Sequence, residues 1–216
     1  MDVTPEEIRV LGALIEKHRT TPDQYPLSLN ALRLACNQST NRDPVVEYDE
    51  ATIRQALERL ARRRWVRLAS GAGSRATKYR HLFDEALGLS AAETALLAVL
   101  MLRGAQTPGE LRARTERLHR FAGHDEVVAT IDGLVARELV ARLARRPGQK
   151  EERYAQLLGE DAQEAPAAAV PAAATAASPL EERVERLEAE VAQLRAAVAR
   201  LTDGVHAPAP EVKHPV

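Results

Sequence analysis

Apolar residues recur at helical spacing through residues 1–160, and the pattern predicts the same series of elements twice. Each half opens with the signature of a capping box, Thr4 with Glu7 in the first half and Ser90 with Glu93 in the second. The apolar stripes that follow these caps are Ile8, Leu11, Leu14 and Ile15, then Leu97, Leu100 and Met101. Each half is therefore predicted to begin with a capped helix that packs one face into a core.

A short second helix and a longer third helix follow in each half. The second helix is predicted to start near Ser28 in the first half and at Thr107 in the second, where Pro108 and Glu110 repeat the cap. The apolar face of the third helix comprises Ile53, Leu57 and Leu60 in the first half, and Val128, Ile131 and Val135 with adjoining Leu134 in the second.

Each third helix runs into a predicted β-hairpin. Trp65 and Leu139 begin the first strands, and the pairs Lys78–Tyr79 and Arg153–Tyr154 lie in the second strands, after turns at 71–74 and 146–149. Three helices with a C-terminal hairpin form a winged helix-turn-helix. The sequence thus predicts a mainly α protein with small β-hairpins (α+β class), built from two tandem winged helix-turn-helix domains at 1–85 and 86–160. Trp65 is expected to pack over the third helix.

The remaining residues have a different composition. Residues 161–177 are rich in Ala and Pro and predict an extended linker, and the Pro-containing end, 205–216, is expected to be disordered. Residues 178–204 carry a strict heptad stripe and predict a coiled-coil helix: Leu180, Val184, Leu187, Val191, Leu194, Val198 and Leu201. Valine at a and leucine at d favour a parallel homodimer. The alternative is that this helix packs on its own chain.

Two segments resemble a known family. They are YPLSLNALRLACNQSTNRDPVVEYDEATIRQALERL (25–60) and GAGSRATKYRH (71–81), and both are similar to the signature region of the YceH-like family. That resemblance covers roughly residues 3–158. It implies a bacterial tandem winged-helix protein, and it implies no activity, because the family has none assigned. The Ala/Pro linker and the coiled-coil tail are where this chain departs from the family pattern.

A basic cluster in the first half is the main candidate for function. Although the whole chain has a net charge of −1, residues 54–81 contain nine Lys or Arg residues and one acidic residue, a local balance of +8. These positions belong to the third helix and the wing, the parts that a winged helix lays against duplex DNA. The candidate DNA contacts are Arg54, Gln55, Arg59, Arg62, Arg63, Arg67, Arg75 and Lys78.

Other interpretations of that cluster remain open. Because 26 of the 30 basic residues are Arg, part of the cluster could simply solvate a surface or pair with acids elsewhere. Asp49 and Glu50 also place negative charge at the start of the third helix, where it would repel phosphate. The third helix of the second half has no basic residue before Arg137, so that domain is interpreted as a packing or protein-binding unit. The leading hypothesis is a dimeric DNA-binding protein of the transcriptional-regulator type, and the alternative is a protein–protein adaptor.

The segment around the sequence NRDP is the most distinctive loop. It gathers Asn37, Gln38, Asn41, Arg42 and Asp43 between the second and third helices. Such a loop either bonds to its own backbone or presents a polar contact surface to a partner.

Enzymatic chemistry is not indicated. No histidine lies at metal-ligand spacing, no Gly-rich phosphate loop precedes a helix, and the single cysteine, Cys36, is interpreted as a small buried thiol. No catalytic residue, metal, cofactor or small-molecule substrate is therefore expected. The acidic start of the chain and the absence of an apolar run of about 18 residues predict a cytoplasmic protein that does not enter a membrane.

Overall fold

The computed structural model describes residues 3–69, 77–144 and 151–159. Within these ranges the chain forms seven α-helices and five β-strands in a mainly helical α+β fold. The elements in chain order are α1 (Pro5–Thr20), β1 (Leu27–Ser28), α2 (Leu29–Cys36), α3 (Glu50–Arg62), β2 (Val66–Leu68), β3 (Lys78–His81), α4 (Phe83–Leu87), α5 (Ala91–Arg103), α6 (Pro108–Thr115), α7 (His124–Ala136), β4 (Val140–Leu143) and β5 (Arg153–Gln156). The predicted turns, the predicted linker, the predicted coiled coil and the predicted disordered end lie outside the described residues.

The helix starts of the first half follow the predicted caps. Thr4 and Glu7 form a capping box, in which the Thr4 hydroxyl accepts from the Glu7 backbone and the Glu7 carboxylate accepts from the Thr4 backbone. The Ser28 hydroxyl accepts a hydrogen bond from the Ala31 backbone at the start of α2. Side-chain caps satisfy backbone N–H groups that have no partner within the helix, so these short polar residues set where α1 and α2 begin.

The first half closes with an antiparallel sheet in the order β1–β3–β2. Strand β3 is central, and Tyr79 lies opposite both Leu27 of β1 and Leu68 of β2. Trp65, just before β2, is 6% exposed, and its ring lies 5.0 Å from the ring of Phe83. The prediction that Trp65 belongs to the core is confirmed.

The second half repeats this order of elements. Capping boxes begin α5 at Ser90 and α6 at Thr107, as predicted. Strands β4 and β5 form an antiparallel hairpin, and an isolated bridge joins Gln106 to Tyr154. That bridge immediately precedes the cap of α6, just as Leu27 of β1 precedes the cap of α2, so it corresponds to the β1–β3 pairing of the first half.

Two details differ from the sequence pattern. In α7 the fully buried residues are Val127, Ile131 and Leu134, while Val128 and Val135 are only half-buried. The prediction is thus confirmed for Ile131 and Leu134, but Val127 takes the buried place predicted for Val128, and Val135 lies at the edge of the buried face. The short helix α4 was not predicted, and it places the fully buried Phe83 beneath Trp65.

The two halves share one core through α1 and α5. Consecutive residues are buried along both helices, from Glu7 to Ile15 in α1 and from Thr94 to Leu102 in α5. The helices approach closely at Gly12, where an added Cβ would lie 3.0 Å from side-chain carbons of Met101 and Leu102. The described residues therefore belong to a single compact unit, Met1–Ala167.

Candidate nucleic-acid interface

The outward face of α3 carries the predicted basic residues. Arg54, Gln55, Arg59 and Arg62 are all exposed, because Ile53, Leu57 and Leu60 turn the opposite face into the core. Arg67 is exposed on the adjoining strand β2. Within the described part of the chain, the side chains of Arg54, Arg59, Arg62 and Arg67 form no hydrogen bond or ion pair. The face therefore carries guanidinium groups with no paired acid among the described residues, although exposed Glu58 lies on the same helix.

The other candidate cations are placed differently. Arg63 is exposed, but its Nε lies 3.8 Å from Oε1 of Glu7, and its guanidinium lies 5.7 Å from the centre of the Trp65 ring. Lys78 is half-buried on β3 and engaged with the chain. Arg75 lies outside the described residues. Arg63 thus helps to hold the start of the hairpin on α1.

Negative charge at the start of α3 opposes part of this face. Asp49 caps the helix by accepting a hydrogen bond of 2.8 Å from the Thr52 backbone, and that bond lowers the pKa of the Asp49 carboxyl. Glu50 follows it in the first turn. The surplus of positive charge therefore begins one turn into α3 and continues into β2.

Among the described residues, the corresponding surface of the second half lacks this surplus. Exposed Asp132 on α7 lies 3.2 Å from a guanidinium nitrogen of Arg142, and Glu152 lies 3.4 Å from another. Arg137 pairs with Glu93 at 3.0 Å and donates to the Leu87 carbonyl. Arg137 and Arg142 are thus paired with the protein's own acids or carbonyl groups, unlike the arginines of α3.

The NRDP loop is bonded to its own chain. The Asn37 side chain donates to the Tyr48 carbonyl at 2.8 Å and accepts from the Tyr48 N–H at 3.0 Å. Arg42 is only 6% exposed and donates to the Ala35 carbonyl and, at 2.6 Å, to Glu16 of α1. A buried guanidinium needs such acceptors to offset its lost hydration, so these contacts hold the loop in place.

The same loop also joins the two halves. The Asp43 N–H donates to the Leu102 carbonyl at 2.9 Å, and Arg103 donates to the Asn41 side chain. Gln38 accepts from Arg42 at 2.9 Å and from Lys17 at 3.4 Å. All five residues of the predicted loop set therefore lie in or beside one bonded network. Sequence reasoning missed Arg103 in it, because that residue comes from the other half.

A second polar cluster at the base of the hairpin was not predicted. Nδ1 of His18 lies 2.9 Å from Nε2 of His81, whose Nδ1 lies 3.4 Å from Asp84. The Tyr25 hydroxyl accepts from the His81 backbone at 2.7 Å. Burial lowers the pKa of His81 to about 4, so its imidazole is neutral at ordinary pH. No sequence pattern indicates that His18 and His81 meet, because they lie 63 residues apart in the chain.

The described residues offer neither a reactive-thiol environment nor a metal-binding cluster. Cys36 is buried, which confirms its interpretation as a small buried thiol, and burial raises the pKa of that thiol to about 12. Among the described residues, no group of three or more His, Cys, Asp or Glu side chains is arranged to hold a metal ion. No described helix combines the length and the apolar character that crossing a bilayer requires.

These features define a mainly helical α+β protein with an internal repeat and, among the described residues, a face of exposed arginines without ion-pair partners on its first half. The chain belongs to the family described as "Protein of unknown function, DUF480", which matches residues 3–149. It is 48% identical over 213 residues to a UPF0502 protein of Serratia proteamaculans (strain 568), covering 95% of this chain and 98% of that one. It is 47% identical over 201 residues to the UPF0502 protein YceH of Salmonella newport (strain SL254), covering 90% of this chain and 93% of the relative. The resemblance to the YceH-like family is confirmed, and both alignments extend beyond residue 149.

Proposed function

We propose that this protein is a non-enzymatic, dimeric DNA-binding protein of the transcriptional-regulator type. Each half is interpreted as a winged helix, and the first half contacts duplex DNA through α3 and its hairpin. The supporting observation is that Arg54, Arg59, Arg62 and Arg67 are exposed and unpaired within the described residues. An array of guanidinium groups without internal acceptors is suited to phosphate, to which Arg can donate two parallel hydrogen bonds.

The proposed contacts divide by position. Arg54 and Gln55 lie on the outward face of α3, where a winged helix contacts base edges in the major groove. Arg67 and Lys78 lie on the hairpin strands, where backbone phosphates are the expected ligands, and Arg75 falls within the segment that connects them. Phosphate contacts supply affinity, whereas base contacts supply sequence preference.

The contrast between the halves supports assigning DNA contact to the first one. The acids Asp132 and Glu152 already neutralise Arg142 on the second half. We assign the second half to packing and protein contact.

An adaptor function is the second candidate. Three large apolar side chains are conspicuously exposed in the first half: Leu34 at 56%, Val45 at 56% and Leu68 at 63%. Exposed apolar groups are typical of protein-binding surfaces when they are contiguous. Leu68, however, lies beside Arg67 on β2, so its exposure is also compatible with a hairpin that approaches DNA.

The test is a salt titration of binding to random-sequence duplex DNA, followed by selection of preferred sequences. Arg67→Ala with Lys78→Ala should weaken binding equally on all sequences and reduce the salt slope by about one for each lost phosphate contact. Arg54→Gln or Gln55→Ala should change the preferred sequence. The matched control is Arg112→Ala, which removes an exposed arginine of α6 and should leave binding unchanged.

Absence of salt-sensitive duplex binding by the unmodified protein at low ionic strength would reject the DNA proposal. Binding that Arg112→Ala weakens as much as the hairpin variants do would show that general charge, rather than this face, is responsible.

A further inference from the structure

A cavity of about 220 Å³ lies where the two halves meet. Glu16 and Thr20 of α1 and Asn41 of the NRDP loop line it from the first half. The second half contributes three arginines, namely Arg103 on α5, Arg114 on α6 and Arg117 just after α6. Nothing in the proposed DNA contact uses this cavity.

The acids near the cavity do not balance its cations. Glu16 is engaged by Arg42 at 2.6 Å and by Lys17 at 3.1 Å, neither of which lines the cavity. A guanidinium nitrogen of Arg114 lies 3.3 Å from Oε1 of Glu110. Arg103 donates a hydrogen bond to the neutral Asn41 side chain.

Arg117 is the least compensated of the three. It is exposed, and among the described residues it has no hydrogen-bond or ion-pair partner. The pKa of Arg103 is lowered by burial and then by the nearby charges of Arg114 and Arg42. An anion between Arg103 and Arg114 would offset the repulsion between their like charges.

The cavity also has an apolar part. Val99, Leu102, Ala113 and Leu118 line it beside the arginines. Its volume is below the roughly 300–1,000 Å³ of pockets for drug-sized ligands, so only a small molecule fits. Cations next to apolar side chains match a ligand that combines a charged group with a compact apolar body.

We propose that this cavity binds a small organic phosphate, with the phosphate held by Arg103, Arg114 and Arg117 and the organic group against Leu102 and Leu118. A phosphate dianion offers more oxygens and more charge to three guanidinium groups than a carboxylate does. Bound there, the ligand contacts both the NRDP loop and the second half. The proposal is independent of DNA binding by α3.

The experiment is isothermal titration of the full chain with phenyl phosphate, and with phenol and benzoate as matched probes that lack the phosphate. Phenyl phosphate should bind saturably and more weakly as salt is added, while phenol should not bind and benzoate should bind at least tenfold more weakly. That tenfold difference is about the contribution of one or more charge-assisted hydrogen bonds.

Variants locate the binding in this cavity. Arg117→Gln should weaken phenyl phosphate binding about tenfold or more, and it should not perturb folding because the side chain is exposed. Arg120→Gln is the control, since it removes an exposed arginine three residues away that pairs with Glu116. A second control, Arg54→Gln with Arg59→Gln, removes cations of α3, and affinity for phenyl phosphate should be unchanged. No saturable binding, equal binding of benzoate, or unchanged affinity in Arg117→Gln would each overturn the proposal.

Discussion

Arg42 and Arg54 are the same residue type in the same half, yet they have opposite surroundings. Arg42 is 6% exposed and surrounded by acceptors, whereas Arg54 is exposed on α3. The exposure of Arg54 could be predicted, because it depends only on the helical spacing from Ile53 and Leu57. The burial of Arg42 could not, because its acceptors include Glu16, which lies 26 residues earlier in the chain.

His81 should make stability depend on pH. An unfolded histidine has its ordinary pKa of 6.5, whereas burial lowers the pKa of folded His81 to about 4. Between these pH values only the unfolded chain takes up the proton, so stability is full above pH 6.5 and falls as the pH drops toward 4. The expected loss is on the order of 3 kcal/mol, measured by urea unfolding across this range.

Substitution separates His81 from other acid-sensitive groups. His81→Gln should flatten the pH profile, although a shallower slope will remain because burial also lowers the pKa of His18. His124→Gln, at the exposed start of α7, is the control and should retain the original slope. A profile that is as steep in His81→Gln as in the unmodified protein would contradict the assignment.

At the scale of elements, local chemistry predicted where helices start but not how they pack. The caps at Thr4, Ser90 and Thr107 are confirmed, since each depends on residues within one turn. The packing of α1 on α5 was not predicted, although AAETALLAVLMLR had a usable signal. A helix that is apolar on nearly every side is buried on nearly every side. The candidate phosphate cavity depends on that packing and was therefore also beyond the sequence pattern.

The close contact between α1 and α5 should require a residue without a side chain at Gly12. Gly12→Ala places a Cβ 3.0 Å from carbons of Met101 and Leu102. Such overpacking lowers the free energy of unfolding by about 1–3 kcal/mol. This loss should outweigh the roughly 0.5–1 kcal/mol that alanine gains over glycine in helix propensity. Urea unfolding should therefore show a net loss of stability.

Gly133 provides the matched control for that substitution. It lies in α7, and no described atom lies within 4 Å of the position of an added Cβ. Gly133→Ala should stabilise the protein by about 0.5–1 kcal/mol. If Gly12→Ala were equally stabilising, the close approach of α1 and α5 would not limit the size of the side chain at Gly12.

At the scale of the whole molecule, we expect residues 178–204 to form a parallel homodimer. Their heptad stripe is a sequence prediction, because the segment lies outside the described residues. Deleting residues 163–216 should convert a dimer to a monomer and leave the rest folded, since the described core is built within residues 3–159. Sedimentation at micromolar concentration, with circular dichroism as the test of folding, measures both outcomes.

Point substitutions test the stripe itself. Leu187→Ser with Leu194→Ser removes two d positions and should dissociate the dimer. Ala189→Ser with Ala196→Ser changes two outward f positions of the same heptads and should leave the dimer intact. A dimer that survives the leucine substitutions would place self-association on another surface.

The shared core of the two repeats has a consequence for how this fold can be divided. Cutting the chain near residue 85 would expose an apolar face of α1 and an apolar face of α5 to water. This exposure costs about 25 cal/mol for every Å² of apolar surface. Neither repeat is then a portable module that could be transplanted by itself. Thermal unfolding of the intact unit should accordingly be one cooperative event, without a step in which one repeat unfolds before the other.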